Sequence, residues 1–151
     1  MHDVVRDVAI SIAENQGFLV RCNDKMEEWP EKGSCERSTA ISLVSTELKR
    51  HLDGLECPKL ELLQLLCYSS ISTLPPNLFK GMKGLKVLTL FGMSLTSLPQ
   101  SINVLQNLRT LQFVGCEITD ASAIGELRKL ETLSFLDSKI KELPGEMRNL
   151  S

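Results

Sequence analysis

The side chains best able to do chemistry are five cysteines and two histidines, spread over 151 residues. They are Cys22, Cys35, Cys57, Cys67, Cys116, His2 and His51. Structural zinc sites need cysteine or histidine ligands at short spacings such as Cys-x-x-Cys, and the sequence contains no such pair. The pattern therefore argues against a metal site and predicts reduced, mostly buried thiols.

Catalytic groups and charged clusters are equally scattered. Serine, histidine and acidic residues form neither a nucleophile elbow nor a pair of carboxylates, so we expect no enzyme. The net charge is −2 with dispersed basic residues, which disfavours nucleic-acid binding. Asp3 and Asp7 interrupt the N-terminus, and no apolar run approaches 18 residues, so neither a signal peptide nor a membrane span is expected. We expect a soluble, cytoplasmic protein.

One repeated pattern organises most of the chain. Four segments read Leu-x-x-Leu-x-Leu or Leu-x-x-Leu-x-Phe, and they begin at Leu60, Leu85, Leu108 and Leu130. The steps between these leucines are 25, 23 and 22 residues. This is the period of leucine-rich repeats, whose units each supply a short strand and a return segment. The predicted fold class is α/β: a leucine-rich-repeat solenoid with a short parallel concave sheet, preceded by an N-terminal helix.

The elements around the repeats follow from local patterns. Apolar residues on one stripe predict a helix over residues 1–15, followed by a short strand at 18–20. Polar residues 23–37 predict a linker loop, and residues 38–151 hold about five repeat units, of which the first is degenerate. We expect the C-terminal end of the array to lack a polar capping unit.

Strand alternation predicts which side chains face outward from the sheet. The outward columns are Leu62, Val87, Thr110 and Thr132; Gln64, Thr89, Gln112 and Ser134; and Leu66, Phe91, Val114 and Leu136. The last column is apolar in all four units, although it should be exposed. One hypothesis is that it anchors a protein partner or a neighbouring domain. The other is that the loops after the strands fold over it.

Cys116 occupies the Asn/Cys position of the repeat formula. Met93 and Ser138 share its column, so no polar ladder is expected there. We interpret Cys116 as structural rather than reactive.

The N-terminal sequence adds a resemblance to a known family. Met1-His2-Asp3 followed by VVRDVAISIA resembles the end of the nucleotide-binding module of plant intracellular disease-resistance proteins, in which leucine-rich repeats come next. The phrases EEWPEK (27–32) and LPPNLFKGMKGLKVLTL (74–90) are similar to the coiled-coil class of those receptors. The resemblance covers essentially the whole chain. It assigns residues 1–22 to the end of the nucleotide-binding module.

The resemblance also implies a site. In the family the Met-His-Asp motif lies beside bound ADP, so a nucleotide-sensing role for His2 and Asp3 is implied in a full-length receptor. The alternative is a solvated helix start, with Asp3 near the favourable end of the helix dipole. This chain contains no G-x-x-x-x-G-K-[ST] phosphate loop, so no ADP or ATP cofactor is expected for the chain itself.

The function implied by the resemblance is plant defense. The chain would be the sensor and autoinhibitory repeat region of an immune receptor, binding protein partners through its concave face. Those partners would be the receptor's own nucleotide-binding module, a pathogen effector or a guarded host protein. The alternative is a freestanding or truncated leucine-rich-repeat scaffold that acts as a decoy or adaptor.

Overall fold

The computed structural model describes residues 18–23, 36–45, 55–67 and 74–142. Within these ranges nine strands form two parallel sheets. The predicted helix over residues 1–15 lies outside the described residues, as does most of the predicted loop 23–37.

The main sheet contains six parallel strands that repeat at the predicted period. They are β1 (Phe18–Asn23), β2 (Ala40–Ser45), β3 (Leu62–Cys67), β4 (Val87–Phe91), β6 (Thr110–Val114) and β8 (Thr132–Leu136), in the order β1-β2-β3-β4-β6-β8. Equivalent residues lie side by side, as in Leu63, Leu88 and Leu111. From β2 onward, each strand of the main sheet is hydrogen-bonded in parallel to the strand of the preceding unit. The predicted parallel solenoid is therefore confirmed.

The main sheet starts earlier than the predicted repeats. The sequence predicts a strand at 18–20 in the segment assigned to the preceding module, and the observed strand β1 runs from Phe18 to Asn23. β1 pairs with β2 along its whole length, with Phe18 beside Ala40. This pairing satisfies backbone groups that the edge of β2 would otherwise leave open. β1 therefore belongs to the same sheet as the strands of the repeats.

The inward leucines of the repeat form the core, as predicted. Leu60, Leu85 and Leu108 begin their patterns with no exposed surface. Behind the sheet, the return segments contribute a second buried layer. Its members are Leu74, Leu78, Met82, Leu98, Ile102, Leu105, Ala121, Ile124 and Leu127. Strand and return segment thus bury their apolar sides against each other in every described unit.

The return segments differ from the predicted architecture. In the described ranges they contain turns and two short 3-10 helices, Gln100–Val104 and Ser122–Glu126, so the predicted α/β class fits only loosely. A minor sheet, absent from the sequence prediction, joins β5 (Ser94–Ser97), β7 (Glu117–Asp120) and β9 (Lys139–Glu142) in parallel. Each of these strands has four residues, which is too short for an alternation signal to stand out in a sequence.

One unit replaces the proline that begins the return segment. Pro99 precedes the first 3-10 helix with φ −65° and ψ 145°, whereas Ser122 holds the equivalent position in the next unit. Ser122 has the backbone N–H that proline lacks, and it donates this group to Asp120 Oδ1 at 2.9 Å. This hydrogen bond holds the pKa of the Asp120 carboxyl below its ordinary value.

Sharp turns connect the main sheet to the minor sheet. Gly92, Gly115 and Asp137 follow β4, β6 and β8, and they adopt positive φ values of 68°, 63° and 50°. The Gly92 N–H donates to Val114 O and the Gly115 N–H donates to Leu136 O, so each turn is tied to the next strand. Left-handed backbone favours glycine, and aspartate tolerates it better than most other residues.

A polar ladder of two rungs lies behind the last two of these turns. Cys116 Sγ donates to Leu90 O at 3.3 Å, and Ser138 Oγ lies 3.1 Å from Phe113 O in the equivalent place. The Cys116 N–H donates to Ser138 Oγ at 3.0 Å and links the two rungs. A hydroxyl and a thiol can both donate to the carbonyl of the preceding unit, whereas Met93 in the same column has no such donor, so the ladder is limited to these two rungs.

The cysteines divide into two classes. Cys67 and Cys116 are buried thiols that form no disulfide, as predicted. Cys57 is disulfide-bonded, so the prediction of reduced thiols is wrong at that position. Spacing in the sequence gave no sign of this, because a disulfide depends on the distance between two cysteines in space and not on their spacing along the chain.

Candidate protein-interaction surface

The four side chains predicted to form an apolar column do lie side by side. Leu66 pairs with Phe91, Phe91 with Val114 and Val114 with Leu136 across successive strands. We call these four residues the apolar column. Leu66, Phe91 and Val114 are half-buried, and Leu136 is 59% exposed. No member is buried, and Leu136 is fully open to contact.

Strand alternation places the apolar column on the outer face of the main sheet. In β3 half-buried and buried residues alternate, so Leu62, Gln64 and Leu66 face outward while the residues between them are buried. β6 has the same pattern. In β4 the alternation breaks at Thr89, which faces outward in register but is only 2% exposed. Neighbouring side chains therefore cover the floor of this face near its middle.

A polar column runs parallel to the apolar column, two residues earlier in each strand. It consists of Ser42, Gln64, Thr89, Gln112 and Ser134, which are paired in register. Ser42 Oγ donates to Gln64 Oε1 at 3.4 Å, and Thr89 Oγ1 donates to Gln112 Oε1 at 3.3 Å. The sequence predicted four of these positions as outward-facing, but neither Ser42 nor the pairing of hydroxyls with amides.

The hydrogen bonds leave specific donor groups available. Each glutamine accepts through its carbonyl oxygen, so its NH₂ group points away from that bond. Among the described residues neither NH₂ group makes a hydrogen bond. The face therefore presents two carboxamide donors, at Gln64 and Gln112, separated by the intervening Thr89.

The three outward columns of β2, β3, β4, β6 and β8 contain no charged residue. Charges instead lie along one rim, immediately before the strands. Lys86 Nζ is 3.2 Å from Glu61 Oε1, and Arg109 Nη1 is 3.6 Å from Glu131 Oε1. Exposed pairs of this kind contribute little to stability. The surface thus has a paired charged rim, an uncharged polar centre and an apolar opposite rim.

The described residues give little support for a metal site or a reactive thiol. No group of three or more histidine, cysteine or acidic side chains there could hold a metal ion. Cys116 is buried, and burial raises the pKa of its thiol, which disfavours the reactive thiolate. His2 and Asp3, predicted to sense nucleotide, lie outside the described residues, and that role stays a prediction.

The minor sheet carries a shallow groove of about 330 Å³, lined by residues of β5, β7 and β9. Its exposed residues include Ser94, Glu117 and Lys139, which are neighbours in register. The lining of the groove includes both acidic and basic residues, whereas the outward columns of the main sheet are uncharged.

Comparison with known proteins gives relatives and a fold. No protein-family profile matches the chain. A probable disease resistance protein of Arabidopsis thaliana is 31% identical over 146 residues, which covers 92% of this chain and 20% of that protein. The disease resistance protein RPS5 of the same plant is 32% identical over 115 residues, covering 72% of this chain and 13% of that protein. The chain therefore spans a fifth or less of the length of these relatives.

A solved structure has the same architecture. A leucine-rich-repeat protein of Leptospira interrogans superposes with a TM-score of 0.67 at 26% identity, covering 93% of this chain and 37% of that one. Within the described ranges, no helix has both the length and the apolar character needed to cross a bilayer.

Proposed function

Because this chain is homologous to plant disease-resistance proteins over 92% of its length, we propose that it acts in plant defense as the sensor and autoinhibitory repeat region of an immune receptor. It would bind protein partners through the outer face of its main sheet. The relatives support the defense role, and the repeat fold supports a binding surface without catalytic chemistry.

One observation carries the proposal. The apolar column forms an ordered stripe of four side chains, none of them buried, beside an uncharged polar column. Neighbouring parallel strands lie about 4.8 Å apart, so the stripe is about 15 Å long. Ordered apolar surface of this kind, bordered by polar residues, is typical of contact sites.

The mechanism would be differential contact. The repeats would hold a nucleotide-binding module in a closed state, and a pathogen effector or a modified host protein would favour the open state. Any such ligand shifts the equilibrium only by the difference between its affinities for the two states. In a full-length receptor, His2 and Asp3 would contact the bound nucleotide, and this chain alone would bind none.

The proposed compartment is the cytoplasm. A disulfide at Cys57 is unusual there, because cytosolic thiols are kept reduced. Mass spectrometry of the alkylated protein from plant cells would give the redox state of Cys57. A thiol is the result expected for a cytoplasmic protein, and a persistent disulfide would contradict that location.

Association with a partner module tests the proposal directly. The full chain would be co-expressed in leaf cells with the nucleotide-binding module of a homologous resistance protein, and co-purification would be measured. We expect Phe91→Ser combined with Leu136→Ser to reduce association, because two contacts of the apolar column are lost. Val104→Ser is the control, since Val104 is half-buried, as Phe91 is, but lies in a return segment.

Two outcomes would contradict the proposal. Unchanged association of a folded double variant would exclude the apolar column as the contact. If the double variant fails to fold while Val104→Ser folds, the four residues are packed under loops, as the alternative hypothesis holds. A thermal melt of each variant separates these two results.

A further inference from the structure

The spacing of two glutamines on the outer face of the main sheet favours one conformation of a bound peptide over others. Gln64 and Gln112 are two strands apart, with Thr89 between them in register. Two strand separations of about 4.7–4.9 Å put the Cα atoms of the two glutamines about 9.4–9.8 Å apart. Both carbonyl oxygens accept from the preceding strand, so the two NH₂ groups turn the same way and keep about this spacing. A ligand that accepts from both NH₂ groups must therefore present acceptors at that interval.

Regular backbone conformations meet this requirement differently. The polyproline II helix rises about 3.1 Å per residue with three residues per turn, so carbonyls on one edge repeat about every 9.3 Å. An extended strand repeats on one side about every 6.6–6.8 Å. In an α-helix the carbonyls are bonded within the helix and are not free to accept. Only the polyproline II backbone combines free carbonyls with a matching interval.

The rest of the surface fits the same ligand. A proline-rich segment carries no charge and buries apolar rings, and the outward columns from Ala40 to Leu136 contain no charged residue. The apolar column lies two residues along each strand from the glutamines, about 6.6 Å away. A polyproline II helix above the gap can place carbonyls over Gln64 and Gln112 and rings against Phe91 and Val114. Thr89 is only 2% exposed, so neighbouring side chains cover it and form the floor between the two glutamines.

We infer that the outer face of the main sheet binds an uncharged, proline-rich segment in the polyproline II conformation, running across the strands. Gln64 and Gln112 donate their NH₂ hydrogens to ligand carbonyls three residues apart, and the apolar column packs against the prolines. Such segments lose little conformational entropy on binding, because proline fixes φ beforehand. This inference rests on the proposed function, since it specifies the partner class for the same surface.

Binding of a blocked oligoproline tests the inference. Acetylated and amidated peptides of two, six and nine prolines would be titrated into the full chain by calorimetry. A blocked Gly-Ser peptide of nine residues serves as the uncharged flexible comparison. We expect the six- and nine-residue oligoprolines to bind clearly tighter than the two-residue peptide, because only they present carbonyls three residues apart and reach both glutamines. The Gly-Ser peptide should bind at least about tenfold more weakly than nonaproline.

Matched substitutions identify the donors. Gln64→Glu and Gln112→Glu keep the size of the side chain and remove its N–H donors, so each should weaken nonaproline binding by about two- to tenfold. Gln106→Glu is the control, because Gln106 is an exposed glutamine in a return segment, away from the main sheet. It should leave the affinity unchanged.

The outcomes separate the two proposals. The polyproline inference is overturned if no oligoproline binds, or if neither glutamine substitution changes the affinity for nonaproline. If Phe91→Ser with Leu136→Ser still abolishes association with the partner module, the proposed function stands without it. If the Gly-Ser peptide binds as tightly as nonaproline, the face accepts any uncharged chain and conformation is not selected.

Discussion

Two strands of the main sheet carry the same sequence pattern and differ in burial. In β6, Leu111 and Phe113 have no exposed surface, whereas the equivalent Leu133 and Phe135 in β8 are half-buried. β6 is hydrogen-bonded to β4 and to β8, while β8 has β6 as its only neighbour among the described residues. In a solenoid a unit's burial is supplied by the units on either side of it, so an identical pattern yields a different environment at different positions.

The largest expected effect tests this comparison in the core. Phe113 and Phe135 stack on each other with ring centroids 5.4 Å apart, so truncation of either ring removes the same pair contact. We expect Phe113→Ala to lower the free energy of unfolding by about 3–5 kcal/mol. Phe135→Ala should cost clearly less, about 1–2 kcal/mol, because part of its ring is already in water. Urea denaturation of the purified chain measures both.

A conservative variant controls this comparison. Phe113→Leu introduces the residue that β3 and β4 carry in the same column, Leu65 and Leu90, and should cost less than about 1.5 kcal/mol. If the two alanine variants lose the same free energy of unfolding, neighbouring strands do not determine how much each phenylalanine contributes to stability.

The next largest loss of stability is expected in the turns after β4 and β6, which belong to two successive units. A Cβ on Gly92 would lie 2.6 Å from Cys67 O, whereas one on Gly115 would meet nothing within 4 Å. Both glycines have positive φ, so Gly115→Ala should cost about 1–2 kcal/mol from backbone strain alone. Gly92→Ala should cost more, because the carbonyl of the preceding unit must also move. Thermal melts of the two variants give the difference.

Gly84→Ala is the control for the turn variants. A Cβ there would stand 3.5 Å from its nearest neighbour, which is ordinary contact, and Gly84 is not among the positive-φ glycines. We expect a change much smaller than either turn variant. If Gly92→Ala and Gly115→Ala prove equally costly, the close approach in the first turn is relieved without strain.

The smallest effect concerns the polar ladder. Cys116→Ala removes a buried donor to Leu90 O, and Ser138→Ala removes the half-buried partner of the Cys116 N–H. We expect losses of about 1 kcal/mol for Cys116→Ala and less for Ser138→Ala, because water reaches the second rung. Cys116→Ser keeps a donor and should recover part of the loss in urea denaturation. A larger loss of unfolding free energy for Ser138→Ala than for Cys116→Ala would contradict this order.

The same thiol makes a pH prediction. Burial raises the pKa of the Cys116 thiol, so the unfolded chain releases this proton at a lower pH than the folded protein. Its stabilising contribution is therefore complete below the unfolded thiol pKa, which is about 8.5. The contribution is lost as pH rises through the higher folded pKa. Cys116→Ala should fall less in stability between pH 8 and 10 than the parent chain, and equal slopes would contradict the assignment.

Much of this architecture was predictable from the leucine spacing. The pattern beginning at Leu60, Leu85, Leu108 and Leu130 fixed the strand register, the buried columns and the apolar column, because side-chain direction alternates in a strand. The polar pairing of Thr89 with Gln112 was not predictable, since it depends on contact between units. Strand β5 was also missed, because Ser94–Ser97 contains a single buried apolar residue.

The sequence by itself determined the repeat period, the inward leucines and the absence of charge on the outer face, because these are properties of residue type and spacing. Only the tertiary structure decided that β1 joins the sheet and that Cys57 forms a disulfide. It also decided that Gln64 and Gln112 keep their NH₂ groups available, and that Phe135 is half-buried while Phe113 is buried. Those outcomes depend on which segments become neighbours in space, and spacing along one chain does not specify that.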